Sequence, residues 1–445
     1  MKQITERSLL SIFVLIALLA AISDKSQEMA KAAPIRSSSP GPTANPEEWR
    51  EDLRYLAEEL PRRHANAFHQ ISFQTWANEV AALDDSIPAL PDHVIIMRMT
   101  RLVALIGDAH TSLGWTSQRY PVRRYPINLS NRADGLFVRD ITAEETVTNR
   151  IDANYLRALG ARVVSIGGLD IEYVKERVKT LISTENEYWP KVILNNFLTI
   201  PEVLNALDIV PDMERVRYTV EYKGGHRVNL DLSPVNQSDL AQTKFFNWPG
   251  LRRWTRPLIF TRPDSLNYWY TYLEDKSVVY FRYHRCQEIP GQPFAGFAFE
   301  LLSFLDSHMV DRLIIELRDN PGGNSGILDP FINAIRSRPL INQPGRLFVL
   351  INPGTFSSGM LNANTLKLRT NAILIGEPTG GKPNSYGEIQ RFTLPYSGLS
   401  VTYSTRFFSL RTDDPPALMP DVYVDYPWSD YEAGRDPVLE TALNY

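Results

Sequence analysis

Cysteine is almost missing from this chain. A single Cys286 among 445 residues excludes an intrachain disulfide and any zinc site built from thiolates. It lies in the strand-like run VVYFRYHRC and reads as a buried structural thiol. An excess of either charge is also missing: 47 basic and 51 acidic side chains leave a net charge of −4. With no dense basic run, this excludes the footprint of a nucleic-acid-binding protein. Histidine is scarce, and H-E-x-x-H is absent; His64 and His69 are suggestively spaced, but no Glu follows His64 and Arg63 beside it disfavours a cation. Nothing implies a metal or nucleotide cofactor. Long apolar stretches are lacking except at Leu9–Ile22. That run is shorter than the ~20 residues of a bilayer span, with Lys2 and Arg7 before it and Ala30-Lys31-Ala32 after it. It reads as a signal peptide or anchor over residues 1–32, followed by a polar linker over 33–44. The expectation is a secreted or cell-envelope protein that touches a membrane only if the segment stays uncleaved.

The remaining text divides into three. Residues 45–118 carry helical periodicity. Asn45 and Pro46 suit a helix start, with Trp49, Leu53, Leu56 and Leu60 on one face. A second helix follows Ser72, and a third runs from Asp92 toward Gly107, giving an N-terminal helical bundle. Residues 119–240 read as short strands broken by turns. Within them, ARVVSIGGLDIEYVKERVKTLI resembles the end of a PDZ domain, a module that captures extended peptides by strand addition; apparent helix in the following segment makes the likeness degenerate. From residue 241 to 445, Val/Ile/Leu-rich strands alternate with amphipathic helices, the pattern of a parallel sheet covered on both faces.

Three loops of that last region hold chemistry. GEPTGGK fits G-x-x-x-x-G-K through Gly376, Gly381 and Lys382. Pro383 then stands where a phosphate-binding loop needs Ser or Thr, so a nucleotide reading fails. In LRDNPGG, Gly322 and Gly323 follow a buried strand and offer backbone N–H groups to an oxyanion; alone, they are equally a plain turn. In INPGTFSSGM, Ser357 and Ser358 open a helix whose positive end would stabilise an alkoxide; alone, a serine there is equally an N-cap. Lys382 comes 25 residues after Ser357, past one helix and one strand that return it to the same sheet edge. Nucleophile, desolvated lysine base and glycine donors together describe an acyl-transfer site.

LIIELRDNPGG, FVLINPGTFSSGM and AILIGEPTGGK, in this order, resemble peptidase family S41, the carboxy-terminal processing (tail-specific) proteases and their tricorn relatives. The resemblance implies an α/β, crotonase/ClpP-like catalytic core with the helical bundle and degenerate PDZ-like region before it. It also implies a serine-type peptidase with Ser357 as nucleophile and Gly322, Gly323 and the Ser358 N–H at the oxyanion. The family's lysine loop usually reads FGKG, whereas this chain has Gly380-Gly381-Lys382-Pro383. Phe356 precedes the serine, and Met360 holds a position usually acidic. The tricorn branch resembles a Ser–His–acid arrangement instead. His110 in LIGDAHTSLGW matches its histidine, Ala109 its assisting serine, and Asp413 or Asp414 its acid. Both Lys382 and His110 therefore stand as general base. The expected substrate is an unfolded or C-terminally recognised protein. The rival reading is a catalytically silent S41-fold protein that binds a peptide or small ligand, and another acyl hydrolase on the same fold is a third.

Overall fold

The computed structural model describes residues 42–142, 157–236, 239, 245–247 and 266–445. The expected signal or anchor segment and most of the linker lie outside the described residues.

The sheet that carries the candidate nucleophile follows from its strand composition. In spatial order it runs Tyr268–Leu273, Val278–Tyr283, Arg312–Glu316, Leu347–Ile351, Ile373–Gly376 and Val422–Tyr423, so chain order and spatial order coincide. The first strand is antiparallel to its neighbour, and every later pairing is parallel. Val278–Tyr283 and Leu347–Ile351 are buried at every position. A parallel sheet demands this, because crossover helices cover its faces. The helices Phe294–Ser307, Asp329–Arg336 and Ser358–Arg369 contribute Phe294, Phe331 and Leu366 to the apolar layer on one face. Pro437–Asn444 closes the other through Val438, Leu439 and Ala442.

Beneath the site runs a buried ionic chain. Arg318 donates to Glu316 Oε1 at 2.9 Å and to Asp436 Oδ1 and Oδ2 at 2.9 and 2.8 Å. Asp436 also caps the C-terminal helix by accepting from the Leu439 N–H. The pairing fastens that helix to the sheet, since each charge is tolerable in the interior only while the other is there.

A long antiparallel hairpin, Asn384–Thr393 with Ser400–Ser409, follows the parallel strands. The helices Pro46–Arg63, Phe73–Ser86 and Asp92–Ala104 lie in the N-terminal region. Asn45 sits at the first helix start without a side-chain cap, contrary to expectation, whereas Ser72 does accept from the Thr75 N–H. Asp52, fully buried on the first helix, accepts the Tyr396 and Ser397 N–H groups at 2.8 and 2.9 Å and pins it to the hairpin's turn. The strand Ser112–Leu113 adds to the hairpin edge.

The middle region holds an antiparallel sheet in which Gly135–Thr142, Arg162–Ile166, Val216–Glu221 and Arg227–Leu232 lie in sequence. The helices Ile171–Lys179, Trp189–Phe197 and Pro201–Ala206 accompany it. The loop before Trp189 is what this region sends toward the catalytic core. Asn186 caps that helix by accepting from the Tyr188 and Trp189 N–H groups. Its amide nitrogen reaches the carbonyls of Gly380 and Pro416, both at 3.0 Å.

Candidate active site

Arg312–Glu316 and Leu347–Ile351 are adjacent parallel strands, so the loops at their C-terminal ends meet. They are bonded together. Thr355 Oγ1 donates to the Leu317 carbonyl, the Phe356 N–H to the Asn320 carbonyl, and Ser358 Oγ to the Gly323 carbonyl at 2.7 Å. Ser357 sits at the turn between strand and helix with φ 47° and ψ −127°. This is a conformation that a non-glycine residue holds only when its surroundings impose it. Its hydroxyl makes no cap bond to the helix and is left for other work.

The glycines divide their tasks differently from expectation. Gly322 cannot be an oxyanion donor, because its N–H already donates to Asn320 Oδ1 at 2.9 Å. Its contribution is space: a Cβ there would lie 2.7 Å from the Ser358 nitrogen and 2.8 Å from Ser357 Cβ. The Gly323 and Ser358 N–H groups are engaged by no partner among the described residues. Ser358 is the first residue of the Ser358–Arg369 helix, where the backbone dipole favours negative charge.

Lys382 arrives beside the nucleophile through Gly381, whose added Cβ would stand 3.2 Å from the Ser357 nitrogen. It is not the desolvated, unpaired amine the sequence led us to expect. Its Nζ donates to Asp414 at 2.8 Å. Asp413 is likewise occupied, by Arg411. Asp413 therefore serves Arg411 of its own loop and Asp414 serves Lys382 of the glycine loop, and other acids stand beside His110.

His110 arrives from the opposite side. Gly107, at φ 73°, ends the third helix region, and Asp108 then organises the turn by accepting the His110 N–H at 2.9 Å on Oδ1. Its other oxygen accepts from His64 Nε2 at 3.0 Å and from Thr111 Oγ1 at 2.5 Å. His64 Nδ1 accepts the Asn66 N–H, so the ring donates to Asp108 through Nε2. Burial pushes the Asp108 carboxyl up, but the bonds from His64, Ser404 and Thr111 together outweigh it and hold its pKa at about 2. The His110 ring stacks on Phe356 at 4.6 Å, and Phe356 stacks in turn on Trp189 at 3.9 Å. Burial lowers the His110 pKa, against the Asp108 charge and the nearby Tyr386 backbone. His110 is thus favoured in its neutral, proton-accepting form. No hydrogen bond joins Ser357 Oγ to His110 or to Lys382.

Glu185, from the middle region, completes this side. Its carboxyl lies with Asp108 and His110 in a cluster whose potential ligand atoms are all within 4.8 Å of one another. Burial, reinforced by the Asp108 charge, raises its pKa to about 8. A cavity of about 290 Å³ opens beside it, bounded by Lys382, Tyr386, His69 and Asp414. A larger one, about 610 Å³, lies between the middle region (Arg132, Lys175, Lys191) and the core loops at Asp319 and Pro353. Sequence reasoning missed Asp108 as an organiser although it stands in the segment singled out for His110. It missed Glu185 and Trp189 entirely, because nothing in their local spacing ties them to residues so distant along the chain. Cys286, by contrast, is buried as expected, and burial pushes its thiol up to about 12.

A half-buried serine at a strand-to-helix turn, beside unengaged backbone donors, is the arrangement a serine hydrolase of α/β build requires. Residues 278–409 match the model of peptidase family S41. The match covers less than a third of the chain and supports a serine-type peptidase. Mature CPAF, solved as a complex with lactacystin, is similar in fold with a TM-score of 0.60 and 12% identity, over 90% of this chain and 97% of that one. A mutant of CPAF gives a TM-score of 0.62 and 11% identity over 90% and 96%. These likenesses show a shared fold. No curated protein matches the chain.

Proposed function

We propose that the chain hydrolyses peptide bonds of unfolded or C-terminally presented proteins by attack of Ser357, with His110 as general base. The observation that carries this is the strained Ser357 turn beside the unengaged Gly323 and Ser358 N–H groups. A peptide carbonyl placed there meets the nucleophile and the donors for its developing oxyanion together. His110 Nδ1 lies on the side of Asp108, 3.8 Å from its Oδ1. Nε2 is then the atom that takes the serine proton, and the ionised Asp108 carboxylate stabilises the imidazolium that results. The ion pair of Lys382 with Asp414 argues against lysine as the base and gives it the part of a loop anchor. The larger cavity, walled by the PDZ-like region and the core, suits an extended chain. The apolar run after Lys2 and Arg7 supports work outside the cytoplasmic membrane.

The test is cleavage of an unfolded protein and a mixed peptide pool, with products read by mass spectrometry. Ser357→Ala abolishes turnover, His110→Ala lowers kcat by about 10²–10⁴-fold, and Lys382→Ala retains most of it. A folded Lys382→Ala that loses turnover while His110→Ala keeps it would make lysine the base. Wild type and Ser357→Ala inert alike on every substrate would remove the reading.

A further inference from the structure

The cluster beside the nucleophile contains two buried polar atoms with no hydrogen-bond partner, His110 Nδ1 and Glu185 Oε1. Unpaired buried polar atoms are uncommon in folded proteins and call for a cause. Both residues belong, with Asp108, to the group whose ligand atoms lie within 4.8 Å of one another. The His110 side chain is 8% exposed and that of Asp108 not at all. The imidazole nitrogen is aimed at the carboxylates: Nδ1 is 3.8 Å from Asp108 Oδ1. Ligand atoms around a tetrahedral zinc stand about 3.3 Å apart, so the set contracts onto an ion by modest movement of Glu185, whose Oε1 is held by nothing.

We propose that Asp108, His110 and Glu185 form a binding site for a divalent transition cation of the zinc type, and that its occupancy switches the peptidase off. One imidazole nitrogen and two carboxylates, with a fourth position open to water, suit zinc, cobalt or nickel. They do not suit calcium or magnesium, which favour oxygen ligands throughout. The outer shell is in place as well. His64 Nε2–H and Thr111 Oγ1–H hold Asp108 Oδ2, as hydrogen bonds fix a ligating carboxylate elsewhere. Inhibition follows from proton placement and rests on the reading of His110 as base. A cation on Nδ1 takes that lone pair and leaves the ring's one proton on Nε2, the atom that must accept the proton of Ser357. Sequence inspection finds no such site, because Glu185 joins from another region and the set forms no local motif.

The experiment titrates the full chain, after chelator treatment, with Zn²⁺ by calorimetry and with Co²⁺ by visible absorption, while peptide cleavage is followed in parallel. Expected are one saturable ion per chain and a cobalt band. Cleavage should be lost along the same binding curve, and Mg²⁺ should have no effect. The isosteric Glu185→Gln should weaken binding about 100-fold, as befits a ligand worth more than an outer-shell partner, and Ser357→Ala should bind as wild type. If Ser357-dependent cleavage is present but zinc neither binds nor inhibits, or binds equally to Glu185→Gln, the site is overturned while the peptidase reading stands. If cleavage is absent throughout but the cobalt band appears and depends on Glu185, the cation site stands, and inhibition falls together with the peptidase reading.

Discussion

Replacing Gly322 by alanine probes the oxyanion geometry without touching a donor or a proton carrier. The new Cβ would lie 2.7 Å from the Ser358 nitrogen and 2.8 Å from Ser357 Cβ, where ordinary contact begins at 3.4 Å. Neither neighbour is a flexible tip: one is helix backbone and the other is the nucleophile's own carbon, so the start of the Ser358–Arg369 helix has to shift. Displacing a reacting group by ~1 Å costs about 10²-fold, and loss of one oxyanion donor costs about 10²–10³-fold in kcat. Gly322→Ala is therefore expected to lower kcat by at least ~10²-fold with KM little changed. Its backbone, at φ 105°, adds a destabilisation of about 1–3 kcal/mol. Steady-state kinetics on one defined peptide, with a denaturation curve on the same sample, separates the two effects. A folded Gly322→Ala with kcat within a few-fold of wild type would refute the placement of the oxyanion at Gly323 and Ser358.

Two further outcomes test the surroundings. Asp436→Ala removes one of the two buried carboxylates that hold the Arg318 guanidinium, and with it the N-cap of the C-terminal helix. A loss of about 3–5 kcal/mol is expected for breaking a buried pair, read as a lower denaturation midpoint; an unchanged midpoint would show that the pair does not hold the helix. The thiol of Cys286, raised to about 12 by burial, stays protonated at pH 8, so iodoacetamide should modify it only after unfolding; prompt labelling of the native chain would contradict the burial.

Alternation of apolar strands with amphipathic helices made the parallel sheet legible from residue 278 onward, because a strand covered on both faces must be apolar at every position, as Leu347–Ile351 is. Turn chemistry was equally legible. NPGG and NPGTFSS announce loops at strand ends, and those strands prove to be neighbours. Local text gave no account of Asn45, whose side chain caps nothing although its type suits the role.

What the sequence by itself determined is the order of elements, the candidate serine and the candidate residues around it. Only the tertiary structure decided which of them are occupied. Gly322 lost its donor role because Asn320, two residues earlier, folds back onto its N–H. Lys382 is paired rather than free because Asp414, 32 residues on, closes an ion pair with it. His110 gained two acids, one from its own turn and one from a region about 75 residues away along the chain. Hydrogen bonds and burial are properties of what a group faces in space, and no periodicity along the chain carries that information across such separations.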